Sequence, residues 1–353
     1  MDLAKLGAID CDIHPALPSL ESLLPHLEAH WREQVIQRGL HELDSIAYPE
    51  NSPLTARPDF RPAKGKAGSQ IEMVTSQALD PYGSRYAILN CLYGVQLLFS
   101  EDMGAGLARA LNDWVAKEWL DREPRFRASI VVPMQNPQLA AEEIERLAGD
   151  RRFVQVMLLC MDQMPLGKRY YWPIYEAAAK HGLPVCIHAG SSYRNPVTAV
   201  GWPSYYTEDY AAQAQGFQTT VTSLICEGVF AKFPELKVVL AESGLTWLPG
   251  HLWRLSKFWR GLRFEVPWVK RSPFEIVRDN IRLTLQPVDI PPDQPKMLET
   301  IMEHFGSDEM ILFSTDYPHW QFDGEEVLPP GLTDAQIRKI AVDNPLATYS
   351  RLA

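Results

Sequence analysis

Eight short runs dense in Val, Ile and Leu recur along the chain, separated by longer stretches of helical periodicity, and this alternation constrains the fold more than any other feature. The runs fall at residues 8–14, 86–92, 128–133, 153–159, 183–188, 236–242, 281–285 and 310–316. Each is continuous enough in apolar residues to be buried on both faces, as parallel strands under crossover helices are. Eight such units predict an α/β protein with a closed (β/α)8 barrel of the TIM type. With 353 residues and 46% hydrophobic content, the chain suits one barrel domain over 1–353 with a large core.

Between the runs, residues 137–148 and 172–181 read as helices, the second stopped by Gly182 as a natural C′ residue. Two stretches without clear periodicity, near 39–80 and 191–215, read as loop insertions. The second carries Tyr193, Trp202, Tyr205 and Tyr206 and would lie over the barrel mouth as a lid. The aromatic helix over 247–259 is a candidate face for a homodimer or for pairing with a homologous chain.

Formal net charge is −10 and the Lys and Arg residues are scattered, which excludes a basic stripe for nucleic acid. No run of about 18 apolar residues occurs, and no basic and apolar leader opens the chain, so neither a membrane nor secretion is expected. Five cysteines without CxxC spacing fit buried thiols of a cytoplasmic protein, with no disulfide and no cysteine-bound zinc.

In a barrel, the residues that end different strands converge on one mouth. Here those ends are polar: Asp12 and His14 on the first strand, His188 on the fifth, Glu242 on the sixth and Asp316 on the eighth. Alternation points Asp12 and His14 the same way and Ile13 the other. One such histidine alone would read as a hydrogen-bonded rim group, and Asp316 alone, before Tyr317-Pro318, as a turn residue. Together, two imidazoles and two carboxylates form a ligand set for a divalent metal, Zn, Mn or Fe, with positions left open for water or substrate. The remaining histidines sit in helical or loop contexts, apart from His319, one short turn beyond Asp316.

The runs DCDIHP, GLPVCIHAG, FPELKVVLAESGLTWLP and FSTDYPHW, in that order, resemble the amidohydrolase-related family, the group of aminocarboxymuconate-semialdehyde decarboxylase and several aromatic-acid decarboxylases. The resemblance covers residues 9–352. It implies a distorted barrel with one divalent metal at the mouth, held by Asp12, His14, His188 and Asp316. Two departures stand out. The first-strand motif is Asp-x-His where many members have His-x-His, which makes the site harder. The strand-six position, frequently histidine, is Glu242.

The chemistry expected is hydrolysis or decarboxylation of a small organic substrate bearing a carboxylate, with Glu242 as first choice for the acid–base group and His319 as second. Arg85 and Arg194 are candidate grips for that carboxylate, and Trp320 a candidate pocket wall. Two further readings stay open: a dinuclear iron or iron/manganese oxygenase using Glu242 and His319 as additional ligands, and a catalytically silent subunit that supports a homologous enzyme.

Overall fold

The computed structural model describes residues 3–43, 56–191, 196–319 and 326–352. Eight parallel strands lie in sequential order: β1 (Ile9–Ile13), β2 (Tyr86–Leu89), β3 (Phe126–Val131), β4 (Phe153–Met161), β5 (Val185–Ser191), β6 (Val238–Ala241), β7 (Ile281–Thr284) and β8 (Ile311–Leu312). Each pairs in parallel with its successor. All eight expected runs therefore appear as strands in the expected order.

The ring closes where the first strand meets the segment after β8. Cys11 N–H donates to Phe313 O (2.9 Å), His14 N–H to Tyr317 O (2.8 Å) and Asp316 N–H to Asp12 O (3.1 Å). Register shifts along β1 between Asp10 and Ile13. The fully buried Asp10 carboxylate serves that irregular backbone, accepting from the N–H groups of Asp12 (3.2 Å) and Thr315 (3.1 Å) and from Thr315 Oγ1 (2.6 Å). Burial above all pushes its pKa up, to about 7.

Helices cover the outside and bury their apolar faces on the strands. Asn136 caps the helix Pro137–Leu147, its side chain accepting from the N–H groups of Gln138 and Leu139 (both 3.1 Å), with Pro137 in the first turn. The helix Trp172–Lys180 ends before Gly182, whose φ of +62° is the left-handed conformation that favours glycine. A small apolar cluster of Ile9, Cys11, Ile88, Val154, Val239 and Leu312, drawn from five of the strands, meets Tyr349 and Leu352 from the C-terminal segment.

Three expectations change. The sixth strand ends at Ala241, directly before Glu242, whose φ of +54° breaks the extended conformation, and the eighth ends already at Leu312, before Asp316 with its φ of +58°. The stretch 191–215 is not all loop: the helix Tyr206–Cys226 takes up its second half, with Glu208 Oε2 accepting from the N–H groups of Ser204 (3.0 Å) and Tyr205 (2.8 Å). Within 39–80, residues 44–55 lie outside the described ones, and the rest includes short helical turns at Pro58–Phe60, Ile71–Val74 and Thr75–Leu79.

Candidate metal centre

The polar residues at the strand ends meet as expected, and two more join them. Asp12 and His14 project from the end of β1 while Ile13 turns into the outer core. His188 lies within β5, in register with Leu159 of β4 and Ala241 of β6. Glu242 and Asp316 follow β6 and β8 directly or closely, and their left-handed backbone is a strained conformation, costing roughly 1–3 kcal/mol each. His319 reaches in from the next turn, its N–H donating to Asp316 O (2.8 Å).

Donor atoms of Asp12, His14, His188 and Glu242 all lie within 4.8 Å of one another, as do those of His14, Glu242, Asp316 and His319. His14 Nε2 is 3.3 Å from Asp12 Oδ1, 3.3 Å from Glu242 Oε1 and 3.0 Å from Asp316 Oδ1. His188 Nε2 is 3.6 Å from Asp12 Oδ2 and 3.4 Å from Glu242 Oε1. His319 Nδ1 is 3.2 Å from Glu242 Oε1 and 2.9 Å from Asp316 Oδ1. Metal–ligand bonds of about 2.0–2.2 Å put neighbouring donors about 3.0–3.5 Å apart, so these separations are those of a coordination polyhedron's edges.

The orientation of the imidazoles carries more information than the distances. His14 Nδ1 faces Asn90 O (3.0 Å) and His188 Nδ1 faces Ala189 O (2.7 Å), contacts that require N–H donors there. Both Nε2 atoms then face carboxylate oxygens. A neutral ring would aim a lone pair at an anion, so the centre demands positive charge, either protons on the rings or a cation between them. Asp12 Oδ2, Asp316 Oδ2 and His188 Nε2 are buried and have no hydrogen-bond partner among the described residues. A divalent cation of hard or borderline character satisfies all of these atoms together, so the residues fit one.

The ionisation of the cluster follows the same logic. Burial disfavours the charged form of His14, yet the carboxylates of Asp12, Asp316 and Glu242 outweigh it and lift its pKa well above the ordinary value. His188 is raised likewise, against burial, by Glu242 and Asp12. For His319, Asp316 overcomes burial and brings the pKa to about 9. Among the acids, burial is opposed by His14 and His188 at Asp12, and by His188, His14 and His319 at Glu242, and both are held below the usual range. Asp316 goes the other way, to about 6, through burial and the charge of Glu242.

Other expected site residues are elsewhere. Arg85 precedes β2 at its amino end, the opposite rim of the barrel, where its exposed guanidinium lies 5.2 Å from the Tyr86 ring centre; it cannot grip a substrate at the mouth. Arg194, Trp320 and Tyr193 lie outside the described residues. Of the lid aromatics, Trp202 and Tyr205 are exposed, whereas Tyr206 is half-buried and stacks edge-on with Tyr210 at 4.7 Å. Burial raises both phenols, and the nearby charges of Glu242 and Asp316 add to it. Tyr210 escapes a strand-end reading because it enters on a helix.

Comparison with known proteins bears on the family and the fold. The amidohydrolase family profile matches residues 9–351. A gamma-resorcylate decarboxylase of Polaromonas sp. (strain JS666) is 27% identical over 255 residues, 69% of this chain and 76% of that protein. The crystal structure of 5-carboxyvanillate decarboxylase from Sphingomonas paucimobilis superposes with a TM-score of 0.70 at 23% identity, covering 98% of this chain and 99% of the other. A dihydroxybenzoic acid decarboxylase from Polaromonas sp. JS666, solved with bound manganese and the inhibitor 2-nitroresorcinol, gives 0.67 at 21% identity, covering 98% of each chain. The chain belongs to the amidohydrolase family.

Proposed function

We propose that this protein is a divalent-metal-dependent decarboxylase of a small hydroxylated aromatic acid. The observation that carries the metal part is the pair of imidazoles whose Nδ1 atoms are committed to backbone carbonyls while their Nε2 atoms face carboxylates. Asp12, His14, His188 and Asp316 would hold the ion, and Glu242 joins them, since three imidazoles keep it ionised. Manganese is the favoured ion because the carboxylate-rich set is hard and the Polaromonas enzyme was solved with it. When bound, the ion supplies the positive charge that grips a carboxylate or phenolate and stabilises negative charge developing on the substrate.

The chain's own groups supply the proton. When the bond to the carboxylate breaks, its electron pair stays on the ring carbon, CO2 departs and a proton must arrive at that carbon. His319 is placed to hold it: partly exposed on the mouth side, with its Nδ1 against Asp316 and a pKa near 9. Glu242, first choice from the sequence for this role, is better suited to the ion, and the acid–base role passes to His319 backed by Asp316. Tyr206 and Tyr210 lie within electrostatic reach of Glu242 and Asp316 and offer flat aromatic surface to an aromatic substrate.

Decarboxylation is favoured over hydrolysis by the gamma-resorcylate, 2,6-dihydroxybenzoate and 5-carboxyvanillate decarboxylases among the proteins the chain resembles, a group that also includes a hydratase. The two candidate groups of four share His14, whose one uncommitted nitrogen can bind a single ion, and this supports one ion per chain over a dinuclear oxygenase. Protein purified with manganese should release CO2 from a panel of hydroxybenzoates and vanillate carboxylates without consuming O2. Ester or lactone hydrolysis without CO2 release, or O2 uptake with two metals per chain, would replace this reading.

The five thiols are all free, which supports a reducing compartment such as the cytoplasm. No helix among the described residues is long and apolar enough to cross a membrane. Exposure of Phe258 and Leu262, one turn apart on the helix Trp247–Leu262, supports a homodimer through that face.

A further inference from the structure

We infer that Asn90, which follows β2, is the positioning residue that orients both metal donors of β1. The inference rests on the metal reading above and concerns residues that reading does not use. Two parts of Asn90 act on two different donors. Its backbone carbonyl accepts from His14 Nδ1 (3.0 Å), which commits His14 Nε2 to the centre. Its side-chain Nδ2 donates to Asp12 Oδ1 (2.7 Å), while Asp12 Oδ2 has no hydrogen-bond partner. That bond fixes how the carboxylate is turned, with Oδ2 the oxygen left without a hydrogen bond among the described residues.

The direction of this bond is fixed by its neighbours. Asn90, Ser129 and Gln155 are all buried. Ser129 Oγ makes a short hydrogen bond to Asn90 Oδ1, and Gln155 Nε2 donates to Asn90 Oδ1 (3.2 Å) and to Ser129 Oγ (2.9 Å). An ionised Asp12 is acceptor-only, so it requires the amide nitrogen of Asn90 on its side and the amide oxygen on the other. Ser129 of β3 and Gln155 of β4 hold that oxygen. Reversing Asn90 would set its oxygen 2.7 Å from a carboxylate oxygen and leave Ser129 and Gln155 misdirected. The arrangement persists although Gln155 Oε1 is left buried without a hydrogen-bond partner. A polar chain across four strands thus ends on one ligand oxygen.

Groups that orient metal ligands in this way typically change metal affinity by about 10- to 100-fold when removed. The test is cobalt(II) substitution of the purified protein, read by its visible absorption and by competition against a chromogenic chelator, in wild type, Asn90→Leu and Ser129→Ala. Asn90→Leu removes the donor that holds Asp12 in place, so the cobalt bands should change in intensity and position as the carboxylate turns, with affinity about 10- to 100-fold weaker. Ser129→Ala leaves Gln155 to hold the amide and should shift both readouts in the same direction by less. Should Asn90→Leu fail to fold, Ser129→Ala decides alone. Spectrum and affinity identical to wild type in a folded variant overturn the role of Asn90 while the metal reading stands. Wild type that takes up no cobalt overturns both.

Discussion

His14 Nε2 and Asp316 Oδ1 face each other at 3.0 Å although 302 positions separate them in the chain. The contact brings an imidazole with a committed Nδ1 against a buried carboxylate, and what occupies the space beside it, proton or metal, sets the behaviour of the whole centre.

Metal uptake should release protons. Burial is outweighed by the neighbouring carboxylates at both ligand imidazoles, which lifts His14 well above its ordinary pKa and raises His188 as well, so in the ion-free protein these two rings favour protons that a cation must displace. Apparent manganese affinity should therefore strengthen as pH rises from 6 toward 9. Calorimetric titration in buffers of different ionisation enthalpy checks this, and binding without proton release at pH 7 would contradict it.

Ion-free protein should lose thermal stability as pH rises. A histidine whose folded pKa is raised contributes stability in full below its unfolded value, about 6.5, and loses it through the folded value, here about 9 for His319. Asp316, raised by burial to about 6, acts in the same direction at lower pH, because its ionised form is disfavoured in the fold. Melting curves in chelator should show a falling Tm between pH 6.5 and 9, and the fall should shrink when metal is restored.

His319→Gln should separate binding from chemistry. If His319 carries the proton, kcat should drop by about 10²- to 10⁴-fold while manganese occupancy stays near that of wild type. His188→Ala, by contrast, should lose the metal itself. Elemental analysis beside steady-state rates distinguishes them, and a His319→Gln enzyme with wild-type kcat would remove it from the mechanism.

The left-handed backbone at Asp316 should discriminate between replacements. Asn tolerates φ of +58° and Val does not, so Asp316→Val should be less stable than Asp316→Asn by about 1–3 kcal/mol in chelator. Denaturant unfolding of the two variants measures the difference. Equal stabilities would mean that the strain is not stored there.

The barrel was legible because parallel strands buried on both faces leave predominantly apolar runs such as 153–159, broken only by Gln155. The cluster was legible because its members end those runs. Asn90 was not, since an asparagine at a strand's end reads as a turn residue, and only the tertiary arrangement shows it buried against Asp12. The start of the helix Tyr206–Cys226 was hidden by a sequence rich in Tyr, Gln and Thr, where aromatic and β-branched residues weaken the helical signal. Arg85 misled because its side chain alone suggested a carboxylate grip, whereas the amino end of β2 places it on the far rim.

The junction of the first and last strands is held by a handful of backbone hydrogen bonds and by no extended ladder, with Asp12 and His14 on one side and Asp316 on the other. An ion shared by those three side chains would work as a clasp on a hoop. Loading would fasten the two ends of the polypeptide, and stripping the ion would let the seam breathe first, so the amides of Cys11, His14 and Asp316 should be the ones whose hydrogen exchange quickens most.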